Sequence, residues 1–237
     1  MGTRREYFFK NLIISDEDKK LADRYLASKG IEKHIILKKM LFSFVEGKDL
    51  EYSMIASVYR YDKRLRNILF KYISYLEEFY RAVILDTYRF SAKNVKWIDD
   101  IKEKLDEQNW DLDATLERIE FSTLLKQADL LPPRIRKRFL FPQNKHHNEN
   151  SKAVRGLRNA VMHNKFLLLY RGFETCYVNG VDEGKSTNLK ANILNLLSFL
   201  PEEVAENCRE EINAAKNEKA DHCGTKWNLP PFVVIQI

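Results

Sequence analysis

The chain has 237 residues, enough to bury a sizeable core as one large domain or two small ones. With only 8 Gly and 6 Pro against 44% hydrophobic and 31% charged residues, a many-turned all-β fold is disfavoured and long helices are favoured. The net charge of +6 permits a polyanionic partner without requiring one. Three cysteines, Cys176, Cys208 and Cys223, are odd in number and widely spaced, which argues against a disulfide framework and for a reducing compartment. Met1–Arg5 carries no apolar signal core and no run approaches 18 apolar residues, so the expectation is a soluble cytoplasmic protein with no membrane partner.

Residues 1–14 are basic and then apolar, and read as a short arm. Ser15 followed by Asp16, Glu17 and Asp18 offers a capping oxygen and first-turn acids, so a helix is expected from there to about Ser28, ended by Gly30. A second helix is expected over Ile31–Glu46. The longest element follows, about Leu50–Phe90, capped by Asp49 and bent or split near Tyr59. Along it Leu65, Leu69, Tyr72, Leu76, Phe79 and Val83 recur at three- and four-residue steps, a core stripe. Helices are expected near 95–107 and 112–130, then at Asn188–Leu200 and 201–217, the last begun by Pro201. Residues 171–188 read as a loop with room for a hairpin around Tyr177–Val178. The tail 218–237 ends in an apolar run that docks on the core or adds an edge strand. The whole is an all-α fold, a helical bundle with long central helices in a single domain.

Between Arg134 and Arg158 the charge balance changes. Arg134, Arg136, Lys137, Arg138, Lys145, Lys152, Arg155 and Arg158 stand against the single acid Glu149, eight basic residues to one acid and a net of +7. His146 and His147 lie in the middle, in a polar stretch, Pro142–Asn150, that reads as a mobile loop. A charge run by itself is usually a solvated face. This one leads directly into Arg158 and His163, and is read as a phosphate-binding surface that supplies affinity and register without sequence readout.

A helix over Ser151–Tyr170 would align Val154, Leu157, Val161 and Leu168 within about 60°. Asn159 and His163, four apart, then share the opposite face, with Arg158 at the border. Arg158 and His163 are about 140° apart on such a helix, too far to pair tightly, and resemble half of a site completed by another chain. The apolar run Phe166–Tyr170 suggests burial against a partner.

This Arg-Asn-x-x-x-His pattern near the end of a helical chain resembles the signature of the HEPN superfamily of metal-independent RNases. Upstream, Asp62, Leu65 and Arg66, with Glu77 and Arg81 on the same helix, resemble the Asp-x-x-Leu-Arg … Glu-x-x-x-Arg helix of the bacterial Abi-like (AbiD/AbiF) abortive-infection proteins. The two matches span about Ser15 to Tyr170. The resemblance implies a homodimeric endoribonuclease without metal or other cofactor, with Arg158 and His163 as the catalytic pair and Asn159 contacting substrate. Glu77 and Arg81 would support that pair, although four residues apart they also fit a plain helical ion pair. It further implies RNA as substrate, a 2′,3′-cyclic phosphate product, and a role in antiphage defence or as the toxin of a toxin–antitoxin pair; the restraint on such an activity is open between an antitoxin protein, a regulatory RNA and a conformational lock. The rival readings are an RNA-binding protein without cleavage and an interaction scaffold. A metal site built from Cys208, His222 and Cys223 is disfavoured, since no CxxC pair occurs.

Overall fold

A computed structural model describes residues 3–45, 50–91, 96–107, 111–139, 146–178, 185–218 and 225–237. Seventy-one per cent of the chain is helical and the strands are only two residues long, so the fold is all-α. Two compact units emerge: residues 1–65 with 214–235, and residues 66–213 with 236–237.

In the first unit the N-terminal arm is itself structured. Helix α1 (Arg4–Phe9) opens on a reciprocal cap in which Thr3 Oγ1 accepts from the Glu6 amide and Glu6 accepts from the Thr3 amide at 2.7 Å. Leu12–Ile13 (β1) then pairs in parallel with Leu50–Glu51 (β2), so those two residues form a strand and not the start of the long helix. Helix α2 (Asp16–Lys29) begins where Ser15 Oγ accepts from the Asp18 amide at 3.0 Å, and ends at Gly30, whose φ of 83° favours glycine. Helix α3 (Ile31–Phe42) stops short of the expected Glu46. Its Lys38 is buried, and donates to the carbonyls of Tyr7 at 3.1 Å, of Phe8 at 2.8 Å and of Lys10. These are carbonyls that the end of α1 leaves without helical partners, so one ammonium closes that helix and fastens the arm.

Helix α4 (Tyr52–Ser91) runs 40 residues without a break. It is not split near Tyr59, and the stretch contains neither Gly nor Pro. The Asp49 cap lies outside the described residues. Tyr52, Ile55, Val58, Tyr61 and Leu65 bury one stripe in the first unit. The C-terminal tail is held there by side chains. Arg60 and Arg64 lie over the Trp227 ring at 5.2 and 4.4 Å, Asn228 bonds Ser57, Ser53 and Glu51, and the Ile235 amide donates to Tyr61 Oη at 2.8 Å. The tail docks without forming a strand among the described residues.

In the second unit α4 continues the stripe with Leu69, Tyr72, Ile73, Leu76, Tyr80 and Ile84. Helix α5 spans Asp99–Glu107. The single helix expected over 112–130 is two, α6 (Leu112–Arg118) and α7 (Phe121–Asp129), divided where Ile119 and Glu120 turn extended with ψ of 150°. Helix α8 (Pro133–Phe139) begins at the second of the two prolines. Helix α9 (His147–Met162) packs on α7, on α10 (Leu189–Leu197) and on Cys176–Tyr177 (β3), which pairs antiparallel with Lys185–Ser186 (β4). Asn150 mimics a strand here, exchanging bonds of 3.0 and 2.7 Å with the Tyr177 backbone, while its own carbonyl accepts from Asn195 at 2.8 Å. Helix α11 (Glu202–Ala214) begins directly after Pro201. Among the described residues no helix is long and apolar enough to cross a membrane.

Candidate active site

The site is built on α9. Ala153, Val154, Leu157, Ala160 and Val161 are buried at helical spacing, which leaves Arg158, Asn159 and His163 on the remaining faces. The helix begins earlier and ends earlier than the sequence suggests. His147–Asn150 form its first turn and not a mobile loop, because Asn150 is locked to β3; Pro142–Lys145 lie outside the described residues. At the other end Asn164 adopts φ of 50°. The Lys165 amide then donates to the Ala160 carbonyl at 2.9 Å and the Asn164 amide to that of Val161 at 3.0 Å, the paired bonds of a Schellman termination. His163 is therefore the exposed C-cap and not a mid-helix residue. Phe166–Tyr170 is no helix buried all round; it holds a 3₁₀ turn, Leu167–Leu169, with Phe166 and Leu167 buried and the rest half-buried.

Arg158 is fixed from α4. Its Nε donates to Glu77 Oε1 at 3.0 Å, and no bond from its terminal nitrogens occurs among the described residues. Glu77 Oε2 lies 3.5 Å from an Nη of Arg81, whose Nε donates to the Leu116 carbonyl at 3.0 Å. Glu77 thus bridges two guanidinium groups, so its pairing with Arg81 is one side of a wider network. Earlier on α4, Arg66 donates to Asn164 Oδ1 at 3.2 Å, beside His163. Asp62 and Leu65 are fully buried.

A cleft of about 450 Å³ opens between the start of α7 and the middle of α9, lined by Glu120, Phe121, Ser122, Arg155, Arg158 and Asn159. His163 is not among the described residues that line it. A second cleft of about 310 Å³ shares the walls Ser122 and Arg155 and continues past Lys126 and Ser151.

The basic run is dispersed. Arg134, Lys137 and Arg138 are exposed and Arg136 half-buried on α8, and none lines either cleft. Lys145 lies outside the described residues. His146 stacks on the Tyr177 ring at 3.7 Å, and His147 Nε2 lies 2.6 Å from Asp129 Oδ1, with Ser151 Oγ 3.3 Å away. Asp129 and Ser151 meet the same ring nitrogen, so this trio is not wired as a proton relay. Lys152 pairs with Glu174 at 3.0 Å, and Glu174 can lie there because position 156 is glycine; a Cβ would meet its Cγ at 2.9 Å. Arg155 makes no hydrogen bond or ion pair among the described residues.

Among the described residues no group of three or more His, Cys, Asp or Glu could hold a metal ion; His222 and Cys223 lie outside them. Burial pushes the Cys176 thiol up to about 11 and that of Cys208 to about 12, so both are protonated and unreactive at neutral pH. The α7 wall of the cleft and the Arg66–Asn164 contact were not visible in the sequence, because both depend on which helices become neighbours. No family model, curated protein or solved structure matches the chain.

Proposed function

We propose that the chain is a metal-independent endoribonuclease of the HEPN type that serves bacterial antiphage defence, acting as a homodimer. The observation that carries this reading is the Arg158 arrangement: a carboxylate holds Nε while the residue lines an open cleft. A guanidinium fixed at Nε keeps its terminal nitrogens for phosphate oxygens. His163 supplies the group that can exchange protons at neutral pH. In the reaction a His163 takes the proton of the 2′-hydroxyl and O2′ bonds to phosphorus. The P–O5′ bond breaks, and a second His163 protonates the departing oxygen, leaving a 2′,3′-cyclic phosphate and a 5′-hydroxyl. Arg158 binds the charge that builds on the phosphoryl oxygens. A two-fold pairing supplies the two histidines, which accords with His163 being exposed and outside the Arg158 cleft.

The test is expression of the wild type beside Arg158→Ala and His163→Ala in a bacterial host, scoring growth and RNA integrity, then repeating the RNA assay on purified protein in EDTA. The reading requires growth arrest and metal-independent fragmentation by the wild type alone. A second reading is favoured by the Glu77 contact, which neutralises part of the Arg158 charge: an RNA-binding protein that holds RNA without cutting it. It requires RNA to co-purify equally with the wild type and His163→Ala, with no fragmentation by either.

A further inference from the structure

The two clefts between α7 and α9 are one groove in chemical terms, since Ser122 and Arg155 belong to both walls. Along α9 the lining runs from Asn148 to Asn159, eleven residues apart and about 16 Å of rise, longer than a single phosphate needs. The charges in and around this groove sort by partner. Arg158 is engaged by Glu77, Lys152 by Glu174, and Asp129 by His147. Arg155 and Lys126 have no hydrogen bond or ion pair among the described residues, and Arg155 is half-buried. A guanidinium that lines a cleft with no hydrogen-bond or ion-pair partner among the described residues has its donors open to an incoming phosphate. Glu120, at the far end, is exposed and accepts from Ser122 Oγ at 3.3 Å.

We infer that Arg155 and Lys126 form a second phosphate subsite, which holds a backbone phosphodiester of bound RNA next to the one at Arg158. The inference rests on the reading of Arg158 as a phosphate ligand and adds a residue of α7, Lys126, that lies outside the basic run. An RNA strand in the groove passes Arg158, crosses Arg155 where the clefts join, and reaches Lys126. Contacts of this kind give affinity and register and no base preference.

The experiment measures binding of a short 2′-O-methyl oligoribonucleotide, whose blocked 2′-oxygen prevents cleavage, across salt from about 0.1 to 1 M. The full-length proteins compared are wild type, Arg155→Gln, Lys126→Gln, the double variant, and Lys20→Gln as an exposed control on α2. Each lost phosphate contact lowers the salt slope by about 0.7, which is about fivefold weaker binding at 0.1 M with convergence at 1 M. The control keeps the wild-type slope. Among the described residues neither Arg155 nor Lys126 has a hydrogen-bond or ion-pair partner to lose, so melting temperatures stay within a degree or so of wild type. Wild-type slopes in both variants overturn the subsite, whether or not the protein cuts RNA. Reduced slopes with a wild type that never cleaves unmodified RNA uphold the subsite and sink the nuclease reading. A wild type that neither binds nor cleaves sinks both.

Discussion

Glu77 is the residue whose replacement speaks most directly to the arrangement around Arg158. It is 9% exposed, and its carboxylate meets Arg158 Nε at 3.0 Å and Arg81 Nη at 3.5 Å. Glu77→Gln keeps the shape and one acceptor oxygen but removes the charge, leaving two guanidinium groups without their shared counter-ion. Breaking a fully buried pair costs about 3–5 kcal/mol. Here the Arg158 and Arg81 side chains are 30% and 28% exposed, so solvent screens part of that. About 1–2 kcal/mol is expected, or a fall in melting temperature of roughly 3–6 °C for a chain of this size. The assay is a double-mutant cycle by thermal and urea denaturation: wild type, Glu77→Gln, Arg158→Gln and both. Because the two side chains touch, the coupling should reach about 0.5 kcal/mol or more. Additivity within about 0.3 kcal/mol would refute the claim that Glu77 holds Arg158. RNA binding by the same proteins adds a second reading, since a guanidinium released from its carboxylate should bind phosphate more tightly even as the fold weakens.

Three other outcomes are expected. Asn164→Ala and Asn164→Gly both lose the Arg66 bond, but alanine is also forced into φ of 50° and should be about 1 kcal/mol less stable than glycine there; equal losses in urea denaturation would contradict the Schellman geometry. Lys38→Met leaves the α1 carbonyls without their ammonium and should cost about 2–3 kcal/mol, with early proteolysis of the arm as the readout. His34 is buried, stacks on Tyr59 at 5.0 Å and donates from Nδ1 to the Gly30 carbonyl. Burial lowers its pKa, only partly countered by the Gly30 bond, and Lys33 lowers it further. The folded state therefore disfavours the proton: stability is full above about pH 6.5 and falls as pH drops through the lowered value. The His34→Phe protein should lack that segment of the stability–pH curve.

What could be seen in the sequence was local. Ser15, Gly30 and the apolar steps of α4 and α9 each encode an element through bonds within a few residues, and the all-α class followed from them. Boundaries were lost where a distant partner decides them. Residues 147–150 looked like a polar loop because nothing nearby shows that Asn150 pairs with Tyr177, 27 residues on. The helix end at Asn164 was overrun because the apolar run Phe166–Tyr170 continues the periodicity, while Asn in the left-handed region is a weak signal without its bonds. The site divides the same way. Arg158, Asn159 and His163 were candidates through the resemblance that their pattern carries, whereas Lys126 and Ser122 enter through the packing of α7 on α9.

The geometry also explains why the candidate residues fall where they do on α9. Glu77 and Arg66 are eleven residues apart on α4, about three turns, and so share a face. That face meets α9 twice, Glu77 at Arg158 and Arg66 at Asn164, in opposite chain order, so the two helices run antiparallel between these points. One contact sets the guanidinium and the other sets the residue that ends the helix. His163 lies between them, anchored through its backbone by the Asn159 carbonyl at 3.0 Å and through its neighbour by Arg66, with its side chain exposed. A histidine kept for packing would be turned inward and bonded, as His34 is. His163 differs from it: its backbone is bonded to the Asn159 carbonyl, its neighbour Asn164 to Arg66, and its side chain is left exposed.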